Sequence, residues 1–430
     1  MLQAVTSDSP RLQESALLIF SQLAQYIGDI LLPHLGTVHS VFLNSFSHPM
    51  SPDVRIAALG ASINFVQCLE STSEREQFQD LLPAMMLTLT EALNTGNEAT
   101  AQEALELLIE LAGTEPRFLR RQLADVVGFM LQIAEADRLE EGTRHLAVEF
   151  VITLVEARER APGMIRRLPQ IIGSLFAVLM KMLLDIEDEP AWHGAETEEE
   201  NAGETSSYSV GQECLDRLSI ALGGNTIVPV ASELLPQYLA APEWQKRHAA
   251  LITLAQISKG GAKVMIKYLE QIVSMVLNSF RDPHPRVRWA AINAIGQLST
   301  DLGPDLQVHY KQQVLPALSS AMDDFQNPRV QAHAASVVLN FTENCTPDTL
   351  SPYWDGIVSK LLMLLQGRMT NWGSMAFEQI SSLLIHLSVF SRYGIHGFPA
   401  FVLTIRNNKL KVSWIEMILI PRYISTRTYR

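Results

Sequence analysis

Cysteine is scarce in this chain. Cys68, Cys214 and Cys345 stand far apart, in no spacing that suits a zinc site or a disulfide framework. The pattern is that of reduced, buried thiols in a cytosolic or nuclear protein. Long apolar runs are also absent. No stretch of 18 consecutive apolar residues occurs, so no transmembrane span is expected. Residues 1–15 have no apolar core behind a basic start, so no secretory signal is expected. Missing too are GxSxG, a Walker A loop, HExxH and the Rossmann glycine pattern. His248 and His333 have no second ligand at metal spacing and read as core or surface histidines. No catalytic residue, metal or cofactor is therefore expected, and the chain does not read as an enzyme. Basic residues are outnumbered, 33 against 46 acids, a net charge of −13. Such a chain repels nucleic acid and attracts basic partners.

What is present is a repeat. DPHPRVRWAAINAIGQLSTDL at 282–302 is echoed by QNPRVQAHAASVVLNFTEN at 326–344, with Pro285 on Pro328, Val287 on Val330, Ala291 on Ala334 and Leu298 on Phe341, a step of 43. Earlier copies occur in PRLQESALLIFSQL, MSPDVRIAALGASINF and QKRHAALITLAQI. A fixed period of about 40–47 residues built from two helices marks a HEAT-type repeat. The second helix of each repeat is expected to begin at Pro10, at Pro52, near Thr100, near Thr143, near Val210, at Glu243, at Pro285 and at Pro328. A second signal is the proline in LLPHL, LLPAM, RLPQI, LLPQYL and VLPAL. Proline is best tolerated in a first helical turn, so Pro33, Pro83, Pro169, Pro236 and Pro316 are expected near the starts of first helices. The fold class is all-α: a HEAT-repeat solenoid of about eight repeats over residues 1–366.

Two segments break the rhythm. A long first helix beginning near Met164 is expected to run into an acidic insertion at 185–207, whose residues 185–204 hold nine acids and the helix breakers Pro190, Gly194 and Gly203. The insertion reads either as a solvated, disordered loop or as an electrostatic contact for a basic partner. After Gln366 the register is lost. Residues 367–430 carry eight Lys/Arg and two acids, +6 against −19 for the rest of the chain. They read as a divergent basic tail from an alternative exon, a retained intron or a gene-model error, with a capping segment as the alternative.

The repeat alignment also exposes a polar ladder. Gln22, Asn64, Glu110, Thr153, Gln256, Gln297 and Asn340 occupy one slot on successive second helices. Second helices usually line the concave face of such stacks. A column of amides there would hydrogen-bond an extended peptide, or stitch repeat to repeat. Trp289 and Asn293 form an i,i+4 pair on one of these helices, an indole beside an amide that could cradle a Lys or Arg stem. Packing of the indole between repeats is the alternative. The candidate peptide-binding set is Gln256, Trp289, Asn293, Gln297 and Asn340. Asp282 and Arg288 are expected to tie the inter-helix turn to its helix and to the next repeat.

The two repeat segments, the LLP helix starts and the acidic insertion together resemble the importin-beta (karyopherin-beta) superfamily. The wording at 240–350 is most like its importin-five branch. The resemblance covers about residues 1–366. It implies a nuclear import receptor that takes basic cargo bearing a nuclear localisation sequence, touches phenylalanine-glycine nucleoporins and shuttles between cytoplasm and nucleus through the pore. It places Glu187, Asp188, Glu189, Glu198, Glu199 and Glu200 in the family's acidic loop, as contacts for Ran-GTP or another basic partner. The chain opens mid-pattern, which implies a central fragment with a weak or incomplete Ran-GTP site. No direct nucleic-acid or membrane contact is implied. The rival reading is a HEAT scaffold or regulatory subunit without transport activity, which would not require the acidic insertion.

Overall fold

The computed structural model describes residues 2–47, 51–157, 163–194, 199–346, 350–367, 400–406 and 409–415. Its helices in chain order are α1 (Leu2–Val5), α2 (Pro10–Leu31), α3 (Leu35–Phe46), α4 (Pro52–Cys68), α5 (Thr72–Glu76), α6 (Leu82–Asn94), α7 (Glu98–Thr114), α8 (Leu123–Glu135) and α9 (Glu141–Glu156). They continue as α10 (Pro169–Met182), α11 (Pro190–His193), α12 (Ser206–Leu222), α13 (Gly224–Leu239), α14 (Trp244–Met265) and α15 (Leu269–Ser279). The last four are α16 (Pro285–Asp301), α17 (Asp305–Ala321), α18 (Pro328–Glu343) and α19 (Trp354–Gly367). The expected second helices are α2, α4, α7, α9, α12, α14, α16 and α18. Their starts fall within a few residues of the expected ones. The largest difference is α12, which begins at Ser206 rather than near Val210. There the Thr205 hydroxyl accepts from the Tyr208 amide at 3.1 Å, and Glu141 of α9 accepts from the Ser207 amide at 2.9 Å. These two acceptors satisfy amide groups that would otherwise be orphaned at the helix start.

Contacts divide the chain into two units. The first holds residues 1–185, 205–237 and 259–261; the second holds 186–204, 238–258 and 262–430. Within the first, second helices stack on one another in the order α2, α4, α7, α9, α12, and α3, α6, α8 and α10 cover them as first helices. α4 is sandwiched on every side, and Val54, Ala58, Leu59, Ile63, Phe65 and Val66 are all fully buried. Each of the larger ones, Val, Leu, Ile or Phe, contributes ~1.5–3 kcal/mol through burial. Within the second unit, α16 lies on α18, covered by α15 and α17. Their close approach depends on Gly296: a Cβ there would stand 2.9 Å from the Val337 side chain. This is the all-α HEAT-repeat solenoid expected from the period.

Several details depart from expectation. Pro83 and Pro169 sit in first turns, and Pro33 lies in the 3-10 turn Leu32–His34 that precedes α3. Pro236 and Pro316, however, are inside α13 and α17, because those helices start earlier, at Gly224 and Asp305. The helix expected from Met164 begins at Pro169 and is an ordinary 14 residues long. No uninterrupted apolar run marks a span, yet Pro10–Phe46 is a helical stretch long and apolar enough by composition to cross a membrane. It comprises two repeat helices joined at Pro33, and one face of α2 packs on α4. The Asp282–Arg288 tie is arranged differently from the expectation. Arg288 donates to the Asp282 backbone carbonyl at 2.7 Å and pairs with Asp324, while the Asp282 carboxylate takes Arg247. Cys214 and Cys345 are buried and Cys68 is half-buried; burial pushes the Cys214 thiol up to about 12. In the tail, the described residues form an antiparallel hairpin, β1 (Ala400–Arg406) and β2 (Lys409–Ile415), with Ala400 opposite Ile415 and Arg406 opposite Lys409. The rest of the tail, residues 368–399, 407–408 and 416–430, lies outside the described residues.

Candidate functional site

The second unit brings the acidic insertion and most of the candidate peptide-binding residues onto α16 and α18. The described residues of the insertion form a folded strap. Ile186 and Glu204 form an isolated bridge, and the Glu187 amide donates to the Gly203 carbonyl at 2.8 Å. Gly203 has φ +86°, and a Cβ on it would meet the Glu187 carbonyl oxygen at 2.2 Å. The closure therefore requires glycine. Between the two ends, the short helix α11 delivers Trp192, which is 2% exposed.

Two guanidinium groups stand over the Trp192 ring. Arg286 stands 4.6 Å from its ring centroid and Arg329 5.4 Å, within cation–π range. Arg329 also donates to the Trp192 carbonyl at 2.5 Å and to the Glu199 carbonyl at 3.2 Å, and Arg286 donates to the Ala202 carbonyl. Both arginines are buried, at 1% and 7% exposure, so these carbonyls and rings replace the water that each cation would otherwise need. Asp188 closes the other side. It lies 2.8 Å from His193, 3.3 Å from His284 and 3.5 Å from Arg286. Burial alone would raise the Asp188 carboxyl, but the hydrogen bond from His193 and the charges of His284, His193 and Arg286 hold it below its ordinary value. Burial raises Glu204 to about 7, with Arg286 opposing and Glu200 adding to the rise. The strap's acids are thus unequal. Asp188 is engaged within the chain, Glu187 and Glu200 are exposed, Glu189 and Glu199 are half-buried, and Glu198 lies outside the described residues.

The aromatic contacts continue along α16. Trp192 meets the edge of Trp289 at 6.4 Å, and Trp289 stacks on His333 of α18 at 4.6 Å. His284 stacks on Trp244 at 4.2 Å. Desolvation, with Arg286 and His284 adding, lowers buried His248 to about 3; desolvation and Arg329 lower His333 to about 4. Both are neutral imidazoles at neutral pH.

Of the predicted peptide-binding residues, Trp289, Asn293 and Gln297 share one ridge of α16 at i,i+4 spacing. Trp289 and Asn293 are half-buried and Gln297 is exposed. Asn340 is exposed on α18, with its amide nitrogen 3.5 Å from where a Gly296 Cβ would be, and Gln256 is half-buried on α14. The ridge ends in a carboxylate that the ladder did not include. Asp301 accepts from Gln297 at 2.8 Å and from Ser258 of α14 at 2.5 Å. Its signal in the sequence was an acid four residues beyond Gln297, on the same helix face. The ladder in the first unit is engaged side chain to side chain. Asn64 donates to Ser21 at 2.5 Å and Gln67 donates to Glu110 at 3.1 Å, contacts that join α2 to α4 and α4 to α7. Among the described residues, no group of three His, Cys, Asp or Glu is placed to hold a metal.

Comparison with known proteins agrees with this architecture. Residues 1–129 match the family described as IPO5-like, TPR repeats, residues 136–229 match the Importin repeat, and residues 244–298 match the HEAT-like repeat. Importin subunit beta-3 of Saccharomyces cerevisiae is 29% identical over 368 residues, covering 85% of this chain and 33% of that protein. The crystal structure of Kap121p bound to Nup53p is similar with a TM-score of 0.80 at 28% identity, over 90% of this chain and 37% of that one. Kap121p bound to RanGTP is similar with a TM-score of 0.79 at 29% identity, over 91% and 37%. The chain thus spans about a third of the length of these relatives. The family matches along the repeats, together with solved relatives of the same fold, make the chain similar to members of the importin-beta superfamily.

Proposed function

We propose that this chain acts in nuclear import as the cargo-holding part of a transport receptor. Its ligand would be a Lys/Arg-rich segment of the kind found in nuclear localisation sequences. The observation that carries the reading is the ridge Trp289–Asn293–Gln297–Asp301 on α16. An indole face suits the aliphatic stem of a long basic side chain, two amides suit a peptide backbone, and a carboxylate suits the cationic head. Asn340 and Gln256 extend the ridge onto the neighbouring second helices. The net charge of −13 raises the encounter rate with a basic segment.

Family relatives supply the wider setting. Kap121p has been solved with Nup53p and with RanGTP. By extension we assign this chain phenylalanine-glycine nucleoporins and Ran-GTP as partners, and passage between cytoplasm and nucleus. The exposed strap acids Glu187 and Glu200 are the contacts offered to Ran-GTP. They are few and solvated, so that contact is weak.

The test is fluorescence anisotropy with a labelled Lys/Arg-rich peptide. Trp289→Ala with Asn293→Ala, and separately Asp301→Asn, should each weaken binding about tenfold, the order expected from losing about 1.4 kcal/mol. Affinity should fall as salt rises. Equal affinity in all the variants would remove the ridge from the binding site.

A further inference from the structure

The first unit carries a second feature with the opposite charge. A cleft of about 980 Å³ opens where the connections after α4 and α7 stack on each other. Its walls hold Arg75, Arg117, Arg120 and Arg121, against the acids Glu76 and Glu115. Arg75 is internally committed. It donates to the Leu69 carbonyl at 2.8 Å, closing the end of α4, and it pairs with Glu115 at 3.1 Å. Arg120 and Arg121 are exposed and, among the described residues, have no ion-pair partner. In a chain whose first 366 residues sum to −19, a cluster of four arginines with two uncommitted guanidinium groups is a local inversion of the field.

The floor of the cleft adds a second observation. Gln79 lines it and is 8% exposed. Its amide nitrogen makes a long bond, 3.4 Å to the Arg117 carbonyl, and its carbonyl oxygen is buried with no partner among the described residues. A buried acceptor without a donor costs about 1–3 kcal/mol. A fully deprotonated anion such as sulfate or chloride cannot supply that donor, but a peptide amide can. The site therefore calls for a ligand with both carboxylates for the arginine forks and N–H groups for the floor.

We propose that this cleft binds an extended acidic peptide segment, its Asp/Glu side chains on Arg120 and Arg121 and a backbone N–H on the Gln79 carbonyl. Arginine suits carboxylate because its planar fork can donate two parallel hydrogen bonds. The segment is opposite in charge to the basic peptide proposed for the ridge on α16, so one chain would hold two ligands of different chemistry.

The experiment uses the full chain and a labelled Asp/Glu-rich decapeptide at low salt, with its Asn/Gln isostere as control. The acidic peptide should bind and the isostere should not. Arg120→Ala with Arg121→Ala should weaken the acidic peptide at least tenfold. The same variant should leave the basic peptide unchanged, which also reports that the chain is folded. Gln79→Met should weaken the acidic peptide several-fold. Unchanged affinity in the double arginine variant would overturn the proposal, as would equal binding of the isostere. Full displacement of the peptide by inorganic sulfate at matched ionic strength, with no effect of Gln79→Met, would show a simple anion site and overturn the peptide assignment.

Discussion

Arg286 and Arg329 occupy the same slot in two repeats, the residue after proline in Pro285–Val287 and in Pro328–Val330, and both turn inward onto Trp192. A buried cation is tolerable where carbonyls and ring faces replace its water. Trp192 supplies one ring for both, so Trp192→Ala should do more than vacate a cavity. It should release the strap and leave two arginines underpaired. Truncating a buried Trp costs about 3–5 kcal/mol. The expected result is rapid proteolytic cleavage between 186 and 204 while the repeats survive; unaltered protection of that segment would refute the arrangement. Titrating groups around the same knot act in opposite directions. His248 and His333 are held down to about 3 and 4, so they stay neutral in the fold while the unfolded chain takes up protons below about 6.5. Their contribution is present above that value and is lost as pH falls. Glu204 is raised to about 7, so its contribution is present below about 4.5 and is lost as pH rises through 7. Between pH 7 and 5 the terms partly cancel. Glu204→Gln removes the opposing one. The pH-dependent loss of stability should grow from roughly 2 to roughly 4 kcal/mol, the scale set by ~1.4 kcal/mol per pH unit per group. Urea midpoints at the two pH values measure it, and an unchanged slope would sink the assignment.

At the scale of the helix pair, the recurring device is an arginine in the second helix that reaches forward to an acid at the next turn. Arg247 pairs with Asp282 at 2.7 Å and Arg288 with Asp324 at 2.9 Å, and Arg55 meets Glu91 in the first unit at 2.5 Å. Each of the first two arginines also holds the carbonyls of its own turn, at Ala241 and Pro242 and at Asp282 and Pro283. One side chain thereby fixes the spacing between consecutive repeats. Asp282→Ala should cost about 3 kcal/mol, because Asp282 is 9% exposed and its loss strands Arg247. Thermal melting of the variant checks this. By contrast, Tyr26 and Ile30 on α2 are about 70% exposed, so Ile30→Ala should change stability by less than ~0.5 kcal/mol. The periodic part of this design was legible in the residues. A proline followed by alternating small and branched apolar side chains marked where α4, α16 and α18 begin, since one slot every 43 residues must face the same neighbour. The strap was not legible. Its nine acids pointed to solvent, whereas one indole within them decides where it lies, and Pro-Arg-Val in two successive repeats was the trace of its anchors. Arg288 does tie its turn and the next repeat, but through the Asp282 backbone carbonyl and Asp324, while the Asp282 carboxylate serves Arg247; separation along the chain cannot show which group of a residue is used.

The whole chain should not unfold in one step. Stacked repeats contact only their neighbours, so stability is set locally and cooperativity spreads over limited lengths. Contacts divide this chain into two units, and among the described residues all five tryptophans (Trp192, Trp244, Trp289, Trp354 and Trp414) fall in the second. Tryptophan fluorescence therefore reports the second unit alone, while far-UV circular dichroism reports helices in both. In urea the two signals should give different midpoints. Ile63 is fully buried in α4 of the first unit, and Ile63→Ala should cost about 2–5 kcal/mol there. That variant should move the dichroism curve and leave the fluorescence curve in place. Phe341→Ala, in the core of α18, should move the fluorescence curve. Coincident curves in the wild type, with Ile63→Ala shifting both by the same amount, would show one cooperative block and remove the division into separately unfolding units.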